Sequence, residues 1–199
     1  MYFSGLFFTQ KPPIIVIMST SATFAAFLLG INIGKYKRVP MHELKAMCVG
    51  MGFKNVRTLL ASGNLVFDAP NRTCNELVRE LEAQLKATFG FEVAVIVRAL
   101  GDLQKMIDAE PFKNVEPTKN TRLYVTFYTE EPKTKISAGL VQDGKGHSFR
   151  ILAVSEGMVL STVELGTTGT LDVMNILSKM LGKKITTRNW NTIEKLVRK

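Results

Sequence analysis

Histidine, cysteine and tryptophan are nearly missing from this chain. It has two, two and one of them in 199 residues. The two histidines, His42 and His147, are far apart, so no pair has metal-ligand spacing and no serine-histidine-aspartate arrangement assembles. The two cysteines, Cys48 and Cys74, lack paired spacing. That excludes a zinc cluster and a disulfide framework, and it points to a reducing compartment, the cytoplasm. Cys48 falls on an apolar helical face and is expected in the core. Cys74 falls in the first turn of an expected helix, where a thiol pKa can drop, but no histidine lies near it in sequence. The acids Asp102, Asp108, Glu110, Glu164 and Asp172 are scattered without the spacing of a carboxylate pair. No catalytic residue, metal or cofactor is therefore assigned, and whether the chain is an enzyme stays open.

Long hydrophobic runs are lacking too. The N-terminal stretch "MYFSGLFFTQKPPIIVIMSTSATF" is apolar in patches, but Gln10 to Pro13 interrupt it. No unbroken run approaches the ~20 residues of a membrane helix, so no membrane partner is expected. No secretory pattern is present either. Met18 followed by "STSAT" reads as a more natural start, which makes residues 1–17 an expected extension. Residues 1–19 are expected to be disordered and outside the fold.

Acids are outnumbered. Lysine and arginine total 26 against 17 aspartates and glutamates, a formal charge of +9. Such a surplus favours anionic partners, a nucleotide or a nucleic acid, through steering and counterion release. It also serves solubility alone. With 46% hydrophobic and 22% charged residues, the composition is that of a folded globular protein.

Turn chemistry divides the rest. "TFAAFLL", residues 23–29, reads as a buried strand. A helix over 40–50 follows, with Pro40 first and Met41, Leu44, Met47, Cys48 and Met51 on one face. "FKNVRTLLASGNLVFDA" reads as a hairpin turning at Ser62–Asn64. "TCNE", Thr73 to Glu76, is a capping-box pattern, and the helix behind it ends at Gly90. "FEVAVIVR" is a strand ending at Arg98. This order, β-α-β-β-α-β, is the ferredoxin-like split motif.

After a linking helix, "ALGDLQKMIDAEPF", the theme repeats. "TRLYVTFYT" is a strand, "EEPKTKISAGLVQDG" reads as a short helix and loop, and "SFRILAVSEGMVLSTV" turns near Glu156–Gly157. "GTLDVMNILSKMLG" is a helix with Leu171, Met174, Leu177 and Leu181 inward. "KKITTR" is a strand and "NWNTIEKLVRK" a terminal helix. The expectation is an α+β chain of two ferredoxin-like units with antiparallel sheets, over 20–98 and 99–199, plus a C-terminal helix. No residue-level repeat between the halves is visible.

Three blocks carry a resemblance: "FLLGINIGKYKRVPMHELKAMCVGMGFKNVRTLLASGNLVF" (27–67), "RLYVTFY" (122–128) and "ITTRNWNTIEKL" (185–196). They resemble the largely bacterial family known as domain of unknown function 1697. The resemblance implies a two-part α+β chain related to ferredoxin-like folds, and no activity. Relatives commonly carry arginine where Leu29 stands, and often a second glycine where Lys35 stands. An anion bound at this loop would therefore be held by Lys35, Lys37 or Arg38.

Candidate ligand residues fall in three places. Gly30, Asn32, Gly34, Lys35, Lys37 and Arg38 form a strand-to-helix loop whose backbone N–H groups and cations suit an anion. Three residues, not four, separate Gly30 from the Gly34–Lys35 pair, so it is not a Walker loop. The same residues also fit a structural turn with a solvated basic rim. Arg188, Asn189 and Trp190 suit stacking and charge recognition of a nucleotide, although Trp190 fits a buried helical face better, with Asn189 as N-cap. Ser62 and Asn64 stand at the hairpin tip, where turn chemistry alone accounts for them.

Ferredoxin-like sheets that bind RNA place paired aromatics on an open face. "VRTLLAS" and "FEVAVIVR" lack them, which shifts the expectation to the loops. The expected function is a binding module for a phosphate-bearing ligand. The alternatives are an enzyme acting on a small phosphorylated or nucleotide substrate between the units, and a protein-interaction module.

Overall fold

The described residues, 21–70, 72–144, 147–166 and 173–198 of a computed structural model, form nine strands and five helices. The extension expected over 1–19 lies outside them, as does Leu171. The first unit comprises β1 (Ser21–Leu28), α1 (Met41–Gly50), β2 (Lys54–Leu59), β3 (Asn64–Pro70), α2 (Cys74–Phe89) and β4 (Val95–Ala99). Helix α3 (Leu100–Asp108) links it to the second. That unit comprises β5 (Thr121–Tyr128), β6 (Val141–Gly144), β7 (His147–Ser155), β8 (Met158–Glu164), α4 (Val173–Leu181), β9 (Ile185–Asn189) and α5 (Trp190–Val197).

The sheet orders are β2-β3-β1-β4 and β6-β7-β8-β5-β9, antiparallel throughout. Without β6 the second order matches the first strand for strand, so the chain is an α+β protein of two ferredoxin-like units. They differ where β1 and β5 end. The first unit runs into α1. The second has no helix over 129–140, contrary to the short helix expected there, and instead adds the edge strand β6. Gly139 N–H and Leu140 C=O bond Ile151 of β7 at 2.8 and 2.9 Å. Pairing to a strand ten residues on outweighs any local helical tendency in a segment holding Pro132 and Gly139.

Two of the predicted helix signals are seen in detail. Thr73 Oγ1 accepts from Glu76 N–H at 3.3 Å, and Glu76 Oε2 accepts from Thr73 N–H at 2.8 Å, which closes the capping box. Gly90, at φ 78°, caps the other end. Pro40 precedes α1 as its N-cap and is not its first residue. In α4 the inward positions are Val173, Leu177 and Leu181, spaced by four; Met174, expected inward, is exposed.

The layers follow from alternation. In β1, Phe24, Ala26 and Leu28 face α1 and α2, while Ala25 and Phe27 face the other unit. In β5, Val125 and Phe127 face the first unit and Tyr128 faces the α4 side. Both faces of β1 are covered, which is why its Phe24–Leu28 stretch reads as an unbroken apolar run. The result is α1/α2, sheet, sheet, α4, with α3 and α5 closing the side of the sheet-to-sheet core. Phe27 and Phe127 stack across that core at 4.4 Å between ring centroids.

Candidate anion-binding site

Of the residues expected to hold a ligand, Asn32, Ser62, Asn64, Arg188 and Trp190 are engaged by the protein itself. Asn32, in left-handed backbone at φ 55°, donates from Nδ2 to Val39 C=O at 3.0 Å and to Ala61 C=O at 2.8 Å. Its Oδ1 accepts from Val39 N–H at 2.9 Å. The side chain thus ties the β1–α1 loop to itself and to the β2–β3 tip. Gly63, at that tip, has φ 75°, and a Cβ there would sit 2.7 Å from Ile31 Cδ1 and 2.8 Å from Leu28 Cβ. Only glycine lets the tip press this closely on the loop.

Arg188 projects from β9 into the seam between the units. Its Nε donates to Asn64 Oδ1 at 2.5 Å. One terminal nitrogen donates to Thr186 Oγ1 at 2.5 Å and Thr187 C=O at 3.0 Å. The other donates to Leu28 C=O and Ser62 C=O, each at 3.0 Å. A guanidinium has five N–H donors, and all five are used. Its Cζ lies 5.6 Å from the centre of the Phe27 ring. None of the five partners is a carboxylate. Burial pulls its pKa down to about 10, which still leaves it charged at neutral pH. Asn64 is fully buried, and its Nδ2 is spent on Leu59 C=O and Ser62 Oγ.

A second arginine, not anticipated from the sequence, mirrors the first. Arg98, at the end of β4, donates to Tyr128 C=O at 2.8 Å and Gly157 C=O at 3.0 Å, with Cζ 5.7 Å from the centre of the Phe127 ring. Arg188 reaches the end of β1 and the β2–β3 tip; Arg98 reaches the end of β5 and the β7–β8 tip. Each unit thus sends one arginine onto the other's aromatic ring and hairpin carbonyl. The repeat invisible along the sequence exists at these positions: Phe27 with Phe127, Gly63 with Gly157, Arg98 with Arg188.

Trp190 packs edge-on against Phe112 at 4.9 Å and is 9% exposed, a core anchor. Asn189 is the N-cap of α5, but its side chain makes no capping bond. Burial raises the Cys74 pKa despite the nearby Arg98 cation, and it pushes Cys48 up to about 12. Neither thiol is activated. Among the described residues, no cluster of histidine, cysteine and acidic side chains could hold a metal.

Three of the proposed cations remain outward. Lys35, Lys37 and Arg38 are exposed with Gly30 and Gly34 on the loop. Lys37 Nζ donates to Glu92 C=O at 2.9 Å, which directs it into an open groove of about 600 Å³. Arg79, Glu82, Lys86, Glu92 and Lys184 also line it. Arg79 and Lys86 come from α2, and Lys184 stands one residue before β9. These three are cations that a reading confined to one loop could not collect. Glu92 is paired with Lys86 at 3.0 Å, and that interaction holds its carboxyl below the usual range. The groove beside Arg98, of about 520 Å³, has Glu130, Glu131 and Glu156 on its walls and is unsuited to an anion.

Architecture and site together define a paired ferredoxin-like α+β protein whose seam is locked by arginines and whose basic groove lies beside it. The chain belongs to the family described as "Protein of unknown function (DUF1697)", whose profile matches residues 21–151. No curated protein matches it in sequence. Among solved structures it is similar to the conserved bacterial protein SP0830 from Streptococcus pneumoniae. Identity is 19%, the TM-score 0.59, and the match covers 90% of this chain and 98% of that one. At that identity the likeness shows the fold. Among the described residues, no helix is long and apolar enough to cross a membrane.

Proposed function

We propose that this protein is a cytoplasmic binding module for a phosphate-bearing ligand, a nucleotide or a nucleic acid. The ligand is held by the loop cations Lys35, Lys37 and Arg38 and by the groove beside them. One observation carries this reading: four cations, Lys37, Arg79, Lys86 and Lys184, converge on one groove from three separate segments, and one of its two carboxylates is already paired. Convergence from distant segments is what a folded anion site needs, and an overall charge of +9 adds long-range attraction. The packed sheet faces support the same placement, since no open sheet remains at the seam for stacked bases. Arg188, Asn64, Ser62, Trp190 and Asn32 serve the seam and the loop; the ligand falls to the outward cations. Two free cysteines agree with a reducing compartment.

Thermal unfolding with inorganic pyrophosphate and with ADP tests the reading. A ligand at 100 times its Kd stabilises the folded state by about 2.7 kcal/mol, so the melting temperature of the wild type is expected to rise by several degrees. The rise is expected to shrink in Lys35→Ala/Arg38→Ala and further in Lys37→Ala/Lys184→Ala. If neither these compounds nor an oligonucleotide shifts the wild type, the reading is wrong.

A further inference from the structure

The β1–α1 loop displays two large apolar side chains that no core uses. Ile33 is 71% exposed and Tyr36 83%. Their backbone is nevertheless held in shape. Asn32, Gly34 and Lys37 all have left-handed φ, at 55°, 60° and 48°, and Asn32 N–H bonds Lys37 C=O at 3.0 Å. The Asn32 amide ties the loop to Ala61 and Val39, and the Lys37 side chain reaches across to Glu92 C=O. Tyr36 therefore stands on a fixed platform between two lysines, one residue from a side chain that lines the basic groove.

An aromatic face flanked by cations and continued by a basic groove is the chemistry of single-strand recognition. Bases stack on the ring whatever their sequence, and the cations follow the phosphates. A site for one small nucleotide would instead enclose most of its ligand, whereas this groove is open to solvent. Exposed apolar tips beside lysines also suit an anionic lipid surface. The groove is concave, however, and takes Lys184 from the second unit, which fits a flexible strand better than a plane. We infer that the phosphate-bearing ligand is a single-stranded nucleic acid, with one base stacked on Tyr36 and its phosphates led along Lys35, Lys37, Arg79, Lys86 and Lys184. This inference rests on the reading of the groove as a phosphate site.

Fluorescence anisotropy on the full chain tests it with two labelled probes, a 12-mer of thymidine and an abasic 12-mer with the same number of phosphates. The thymidine strand is expected to bind about 10-fold tighter than the abasic one. Tyr36→Ala is expected to abolish that difference and leave abasic binding unchanged, while Tyr36→Phe retains it. Lys86→Ala/Lys184→Ala is expected to weaken both probes and to flatten the salt slope by about 1.4, roughly 0.7 for each phosphate no longer neutralised. Equal binding of both probes by the wild type, or a Tyr36→Ala loss shared by both, overturns the single-strand inference and leaves the phosphate reading standing. So does binding to phosphatidylserine vesicles, lost in Ile33→Ser/Tyr36→Ser, in a protein that ignores the thymidine strand but still responds to pyrophosphate. Failure of both strands and of pyrophosphate removes both readings.

Discussion

Arg188 and its partners show how a polar residue can look like a ligand contact and be a joint. Cutting it back to alanine leaves the buried Asn64 amide oxygen and the Leu28 and Ser62 carbonyls without their donor. Unsatisfied buried groups cost about 1–3 kcal/mol each, softened where water enters. Arg188→Ala is thus expected to lower unfolding free energy by about 2–4 kcal/mol, measured by urea titration, with pyrophosphate affinity unchanged. Adding Asn64→Ala should cost less than the sum of the two single changes, because the pair acts as one unit. Strict additivity, or weaker affinity at unchanged stability, would contradict the assignment. The sequence offers Asn32, Ser62 with Asn64, and Arg188 in three separate places; the fold joins Ser62, Asn64 and Arg188 and bonds Asn32 to the adjacent Ala61. Which way they face depends on what lies across the seam, more than a hundred residues away, and no local pattern carries that.

Elements with their own chemical signature are the ones legible in the sequence. The capping box of α2 is closed by two short-range hydrogen bonds, so it can be read from four letters. Its acid also gives a pH signature. Hydrogen bonds from Thr73 hold the Glu76 carboxyl below its ordinary value of 4.5. A lowered folded pKa means that the unfolded state binds the proton first, so this contribution is present above pH 4.5 and disappears as pH falls through the lower folded value. Thr73→Ala is expected to cost about 1 kcal/mol at pH 7, and the gap from wild type should narrow in denaturant titrations as pH falls below 4.5. A gap constant with pH would argue against the ionised box. The segment that becomes β6 carries no such signature. Its strand character comes from β7, and it is the element that sequence reasoning misassigns.

At the scale of the whole molecule, the two sheets are each other's solvent shield. Phe27, Val66 and Ile96 from one, and Val125, Phe127 and Leu160 from the other, form a single cluster. A fragment of residues 20–99 contains all the strands and helices of the first unit but not this cover. It is expected to bind a hydrophobic dye and to self-associate in sedimentation, which a dye-silent monomer would contradict. The element order that makes each unit visible in sequence does not reveal this dependence, because half of the apolar residues in a strand name a face without naming what covers it. The dependence also has a schedule. A ribosome adds about 5–20 residues per second, so the roughly 90 residues between β4 and the end of β9 take on the order of 5–20 seconds to appear. Until β5 and β8 emerge within that interval, the newborn first sheet presents a bare aromatic and aliphatic plane to the cell. Its vulnerability to misassembly is greatest then, and it ends when Arg188 arrives to lock the seam.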